Sequence, residues 1–101
     1  MKLKPITKRE LTEVIRDLRH PHPFGWRLCS FTVYIYNGTV DYFVHYHGQG
    51  ILEILYNDKA DDVLDLTDIV KDTYTYTQKE MVDICYDDIK TFIECYNEEQ
   101  K

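Results

Sequence analysis

The dipeptide Asn37-Gly38, set between two stretches of alternating side chains, constrains the fold of this chain more than any other feature. Asn-Gly is well suited to a two-residue type I′ turn, because both central positions of that turn need positive φ. On either side, residues 26–36 and 39–47 alternate apolar or aromatic with polar side chains, which is the period of a half-buried strand. We therefore predict an antiparallel hairpin.

A two-residue turn also fixes which residues of the two strands face each other. The inner face then holds four apolar or aromatic pairs: Ile35 with Val40, Val33 with Tyr42, Phe31 with Val44, and Cys29 with Tyr46. A third strand over residues 51–56 can follow and add its own apolar residues to that face. The sequence thus predicts a three-stranded antiparallel meander with one core side.

Two capping boxes predict the starts of helices. Thr7 with Glu10 forms the first box and Thr77 with Glu80 the second. Apolar residues recur at helical spacing after each box, which predicts one helix over about residues 8–19 and a longer one from 78 onward. The apolar side of the longer helix consists of Met81, Cys85, Ile89, Phe92 and Tyr96.

The acidic segment 57–72 fits a helix less securely. As a helix it places Val63, Leu66 and Val70 on one side and its aspartates within an arc of about 120° on the other. Aspartate is a mediocre helix former, so an acidic loop with a short helical turn stays open. The aspartates are Asp58, Asp61, Asp62, Asp65, Asp68 and Asp72.

These elements predict a single α+β domain over residues 1–101: an N-terminal helix, the meander, and two C-terminal helices packed on one sheet face. The 101 residues are 44% hydrophobic, enough for one core. No apolar run reaches the length of a membrane span, and the first residues lack a secretory core. We expect a cytoplasmic protein without cofactors, in the host cytoplasm if it is phage-encoded.

The three cysteines, Cys29, Cys85 and Cys95, show no C-x-x-C spacing. Each lies on the apolar side of its predicted element. We therefore expect buried, reduced thiols and no disulfide.

Charge is divided unevenly along the chain. Residues 1–50 carry seven Lys/Arg and four Asp/Glu, a net of +3, whereas residues 51–101 carry five and fourteen, a net of −9. An acidic face of this kind repels nucleic acid and attracts basic protein surfaces.

The polar side of the predicted sheet gathers residue types that occur in catalytic and metal sites. Ser30, His45 and Glu53 fall in one row, and His45 with His47 and Glu53 resembles a two-histidine, one-carboxylate ligand set to which His20 or His22 can add. A flat sheet face supplies neither a strained nucleophile turn nor oxyanion donors. We expect no catalysis and no bound metal, and keep a His/Glu metal-dependent hydrolase as the least favoured alternative.

The same face carries an unusual amount of apolar surface, which one of the helices, a second copy of the chain or a partner should cover. Its residues are Tyr34, Tyr36, Phe43, Ile51 and Leu55. A dimerising regulatory or structural module is therefore the main alternative function. Stacking of single-stranded RNA is a further alternative that uses Arg27 and the arginines of the first helix, Arg9, Arg16 and Arg19.

The aspartates of segment 57–72 are the feature that we single out for function. Six carboxylates on about 20 Å of helix approach the spacing of backbone phosphates, so they can occupy a Lys/Arg groove built for nucleic acid. Tyr74 and Tyr76 add aromatic anchors of the kind enriched in binding hot spots. The alternative is that these aspartates form a solvated helix face with no binding function.

Helix, meander and two acidic helices in 101 residues are together similar to small acidic phage-encoded anti-CRISPR proteins that inhibit a type II CRISPR effector nuclease. The likeness covers element order and the acidic second half, and the basic first helix departs from it. It implies a non-enzymatic inhibitor in a basic nucleic-acid-binding groove, where guide RNA or target DNA would lie. Direct RNA contact and homodimerisation stay open.

Overall fold

A computed structural model describes residues 3–18, 28–46, 60–72 and 74–99. The fold is α+β, as predicted, with an N-terminal helix, a three-stranded antiparallel sheet and C-terminal helices. In chain order the elements are α1 (Lys8–Leu18), β1 (Leu28–Tyr36), β2 (Thr39–Tyr46), β3 (Asp62–Asp65), α2 (Thr67–Lys71) and α3 (Gln78–Glu99).

The hairpin forms as predicted around Asn37 and Gly38, whose φ angles of 52° and 81° are those of a type I′ turn. Three of the predicted pairs are observed: Ile35 with Val40, Val33 with Tyr42, and Phe31 with Val44. The fourth prediction is wrong, because the register shifts by one residue between Leu28 and Ser30 and Leu28 faces Tyr46. An extra residue in one strand bends and twists it, and here that residue is Cys29.

The third described strand differs from the predicted one in position. β3 runs antiparallel to β1, so the sheet order is β2-β1-β3 and β1 is central. The predicted strand 51–56 lies outside the described residues.

The prediction of one helix across the acidic segment is therefore wrong. Leu64 faces Val33 on the inner side of the sheet, and Val63 faces Tyr34 on the other. Pairing with a central strand satisfies backbone donors and acceptors that an aspartate-rich helix would have to order unaided.

The core lies between the inner face of β1 and the two long helices. Eight of its side chains have no exposed surface. They are Leu11 and Ile15 of α1, Phe31, Val33 and Ile35 of β1, and Met81, Cys85 and Ile89 of α3. Helix α1 packs on α3, and α2 contacts both β1 and α3.

The predicted capping residues are seen at the starts of both long helices. The amide of Glu10 donates to Thr7 Oγ1 at 3.2 Å. At the start of α3 the box is reciprocal: the Glu80 amide donates to Thr77 Oγ1 at 3.2 Å, and the Thr77 amide donates to Glu80 Oε1 at 3.0 Å. That backbone hydrogen bond holds the pKa of Glu80 below its usual value.

The cysteines only partly match the prediction. All three are free thiols, and Cys85 is buried, Cys29 half-buried and Cys95 exposed. The expectation that Cys95 is buried is wrong, because the buried side of α3 follows Met81, Cys85, Ile89 and Ile93 and leaves Cys95 outside it.

Candidate partner-binding surface

Four of the aspartates predicted to bind a partner lie in or close to β3, which is at one margin of the described sheet. Asp61, Asp62, Asp65 and Asp68 are all exposed, and we call these four the acidic edge. Asp61 precedes β3, two of the others belong to β3, and Asp68 lies in the first turn of α2. Asp58 lies outside the described residues.

The acidic edge is not the helical stripe that the sequence suggested. Asp62 faces Ile35 across the ladder and Asp65 faces Thr32, and because side chains alternate along a strand, these two carboxylates leave β3 on opposite sides. The charges thus lie at both ends of β3 and on both of its faces.

Two of the four carboxylates also hold the backbone locally. Asp62 Oδ1 accepts a 2.9 Å hydrogen bond from the amide of Val63, and Asp65 Oδ1 accepts one of 2.9 Å from the amide of Thr67. The second is an Asx turn that starts α2. Asp61 and Asp68 remain as the two whose side chains have no such contact among the described residues.

The segment that carries the acidic edge has a large excess of negative charge. Residues 60–72 contain five Asp and one Lys, a net of −4. Within the described ranges the ion pairs are Lys8 with Asp83 and Arg16 with Asp17, and neither involves this segment. The local potential is therefore negative.

A turn after α2 determines how the two predicted aromatic residues are exposed. Asp72 Oδ1 accepts a 2.9 Å hydrogen bond from the amide of Thr75, which lowers the pKa of Asp72. This turn presents Tyr74 with its side chain fully exposed, at 101% of the reference area. Tyr76, predicted as a second anchor, is instead half-buried and packed on the core, so its ring is largely committed to the fold.

The predicted catalytic and metal sites are assembled only in part. Ser30 faces His45 across the hairpin, as the register required. Glu53, His47, His20 and His22 lie outside the described residues. Where the structure is described, no three His, Cys, Asp or Glu side chains converge on a common point that could hold a metal ion.

The aromatic side of the sheet is covered at β1, as the alternative of packing within the chain predicted. Tyr34 is only 3% exposed and Thr32 also 3%, so β1 is buried on both sides within one chain. Tyr34 meets Phe43 edge to face, with ring centroids 5.8 Å apart. Tyr36 is 51% exposed. Ile51 and Leu55 lie outside the described residues, as do Arg19 and Arg27, whereas Arg9 and Arg16 are exposed on α1.

No family model, curated protein or solved structure matches this chain. Functional inference therefore depends on the geometry of the chain itself. Among the helices within the described residues, none combines the length and apolar character needed to cross a bilayer.

Sequence reasoning did not distinguish Asp62 and Asp65, whose side chains accept backbone hydrogen bonds, from Asp61 and Asp68. The spacing of Asp65 and Thr67 is a signal that could have done so, because an aspartate two residues before the start of a helix typically accepts a backbone amide. Asp61, Asp68 and Tyr74 are therefore the exposed predicted residues whose side chains form no hydrogen bond or ion pair among the described residues.

Proposed function

We propose that this protein is a non-enzymatic inhibitor or binding protein whose acidic edge engages a basic nucleic-acid-binding groove of a partner protein. A CRISPR effector nuclease, alone or with its guide RNA, is the partner class that the element order and acidic second half suggest. The acidic edge replaces backbone phosphates among the lysines and arginines of the groove.

The observation that carries the proposal is the fully exposed ring of Tyr74, two residues after Asp72. It accompanies the four exposed carboxylates of the acidic edge, which form no ion pair among the described residues. An exposed tyrosine in a turn held by Asp72 and Thr75 presents a large amphipathic ring at low entropic cost. Carboxylates raise the rate of association with a basic partner. A tyrosine ring that becomes buried in the complex then lowers the rate of dissociation.

The charges at the sheet margin have a second role that is compatible with binding. Charged side chains on an edge strand prevent unwanted pairing with other strands, and the amide of Val63 is already occupied by the side chain of Asp62. A partner is therefore expected to contact side chains of the acidic edge and not to extend the sheet.

The test uses charge reversal at the two aspartates whose side chains accept no backbone hydrogen bond among the described residues. Asp61→Lys with Asp68→Lys leaves the hydrogen bonds of Asp62 and Asp65 in place. The matched control is Asp88→Lys with Glu98→Lys, which makes the same charge change at two exposed positions of α3. Binding to a panel of purified type II effector nucleases, with and without guide RNA, is measured at low and high salt.

We expect the wild-type chain to bind and to compete with DNA, and higher salt to weaken binding. The edge variant should lose binding while the control keeps it. Tyr74→Ala should weaken binding roughly 30-fold, corresponding to a hot-spot residue. Equal binding by the edge and control variants, or no binding of the wild-type chain to any nuclease, would refute the proposal.

A further inference from the structure

A cleft lies between residues 3–6, the N-terminal segment, and the part of α3 from Tyr86 to Asn97. None of its lining residues belongs to the acidic edge. Its volume is about 250 Å³. That is close to the lower end of the range for small-molecule sites, and suits a ligand the size of one aromatic side chain. Its apolar walls are formed by Leu3, Pro5, Ile6, Tyr86 and Ile93.

One wall of the cleft is fixed by a pair of reciprocal hydrogen bonds. The amide of Leu3 donates to Asn97 Oδ1 at 2.8 Å, and Asn97 Nδ2 donates to the Leu3 carbonyl at 3.3 Å. Leu3 is 5% exposed, so this contact attaches the N-terminal segment firmly to the end of α3.

The other wall is fixed through Lys8. Its Nζ lies 2.6 Å from Asp83 Oδ1 and 5.5 Å from the centre of the Tyr86 ring. The cation thus restrains the ring from one side. With both walls held, the N-terminal segment does not close completely on α3, and the cleft is preorganised for a ligand.

Two opposite charges lie at the rim. Lys90 and Glu94 line the cleft, and both are exposed. A lysine four residues before a glutamate is the weaker orientation for an ion pair within a helix. Among the described residues, neither Lys90 nor Glu94 forms an ion pair, so the cleft is lined by one ammonium and one carboxylate that can face a ligand.

We propose that this cleft binds a free apolar α-amino acid. The side chain occupies the space between Ile6, Tyr86 and Ile93, the ligand carboxylate pairs with Lys90, and the ligand ammonium pairs with Glu94. Opposite rim charges above an apolar cleft complement a zwitterion with an apolar side chain better than a singly charged ligand of the same shape.

The experiment titrates the full chain with three probes and follows backbone amide signals by NMR. L-phenylalanine carries both charges, 3-phenylpropionate lacks the ammonium, and phenethylamine lacks the carboxylate. We expect L-phenylalanine to shift amide signals of Leu3, Lys4, Ile6 and residues 86–97 at concentrations on the order of 10 mM or below. Each singly charged probe should bind about two- to fivefold more weakly, the usual effect of one exposed ion pair.

Variants assign each charge to its residue. Lys90→Gln should remove the advantage of L-phenylalanine over phenethylamine, and Glu94→Gln its advantage over 3-phenylpropionate. The control is Asp88→Asn, because Asp88 is turned by about 200° around α3 from Lys90. Equal binding of the three probes by the wild-type chain, shifts confined to other residues, or no shifts with L-phenylalanine would overturn the proposal. Each variant's own spectrum verifies that it is folded.

Discussion

The backbone amide of Phe31 donates a 3.1 Å hydrogen bond to Thr67 Oγ1, thirty-six residues further along the chain. The next rung is a backbone bond of 3.0 Å from the amide of Leu66 to the carbonyl of Phe31. A side chain thus continues the β1–β3 ladder where the strand gives way to α2. This contact attaches the segment that carries the acidic edge to the centre of the sheet.

The Thr67 hydroxyl should therefore matter for stability. Thr67→Val keeps the shape but leaves the amide of Phe31, a residue with no exposed surface, without its acceptor. We expect a loss of about 1–3 kcal/mol in the free energy of unfolding, measured by urea denaturation. Thr67→Ser keeps the hydroxyl and should recover most of that loss. Equal stability of Thr67→Val and the wild-type chain would contradict the role assigned to the hydroxyl.

Removal of the Tyr42 hydroxyl should not destabilise the fold. This oxygen is buried and, among the described residues, lacks a hydrogen-bond partner. The ring itself packs on Phe31, with centroids 5.8 Å apart, and Tyr42→Phe retains that packing. We expect the variant to match or exceed wild-type stability by up to about 1 kcal/mol in urea denaturation. A clear loss of stability in Tyr42→Phe would mean that the Tyr42 hydroxyl has a hydrogen-bond partner in solution.

Alkaline pH should destabilise the protein. Burial raises the pKa of Cys85 from 9.0 to about 12 and that of Tyr42 from 10.0 to about 12. Between its pKa in the unfolded chain and its higher pKa in the folded protein, each group loses its proton first in the unfolded chain. The contribution of these two groups to stability is therefore constant below about pH 9 and falls as pH rises toward 12. Urea midpoints across this range measure the fall.

Tyr42→Phe removes the contribution of the Tyr42 hydroxyl. Its stability should fall less steeply than that of the wild-type chain above pH 10, the usual pKa of tyrosine. Tyr74→Phe serves as the control, because Tyr74 is exposed, and should keep the wild-type slope. Parallel curves for Tyr42→Phe and the wild-type chain would argue against a raised pKa at Tyr42.

The thiols should differ sharply in reactivity. Cys95 is exposed on α3, whereas Cys85 is buried and its raised pKa leaves little thiolate. Alkylation of the native protein with iodoacetamide, followed by peptide mass spectrometry, should modify Cys95 first and Cys85 only after unfolding. Cys95→Ser should abolish the fast phase. Rapid modification of Cys85 in the native chain would show that the core opens readily.

The capping box of α3 offers a test of local sequence information. Thr77→Ala removes the acceptor of the Glu80 amide and should cost about 1 kcal/mol of stability. Thr91→Ala is the matched control, since Thr91 is exposed within the same helix and alanine is the better helix former. Stability is read from urea denaturation, and a Thr77→Ala variant as stable as Thr91→Ala would mean that the cap contributes nothing.

The hairpin shows where sequence reasoning is strongest. Asn37 and Gly38 fix a turn, a turn fixes a register, and three of the four predicted inner pairs follow. The fourth fails at Cys29 because a bulge adds one residue without any change in the alternating pattern. The predicted residues that could complete a metal or catalytic set lie outside the described residues, and only the Ser30–His45 pair is observed.

The acidic segment shows where sequence reasoning failed. Its aspartates fit one side of an ideal helix, yet Val63 and Leu64 pair with β1 in an extended conformation. The side of β1 that does not pair with β2 has backbone donors and acceptors that β3 can satisfy. No local pattern in the segment indicates that this side of β1 is available. The excess of carboxylates was foreseeable from composition. That Asp62 and Asp65 accept backbone hydrogen bonds, and that Asp61 and Asp68 accept none among the described residues, was not.

The sequence by itself determined the hairpin, both helix starts, the apolar sides of the long helices and the negative charge of the second half. These depend on contacts between residues a few positions apart, where turn geometry and helical period leave few choices. Tertiary structure decided that residues 62–65 become a strand beside β1, that Tyr74 is exposed while Tyr76 packs inward, and that Leu3 meets Asn97. Those outcomes depend on which distant surface is available to bury a side chain or satisfy an amide, and that is fixed only when the whole chain packs.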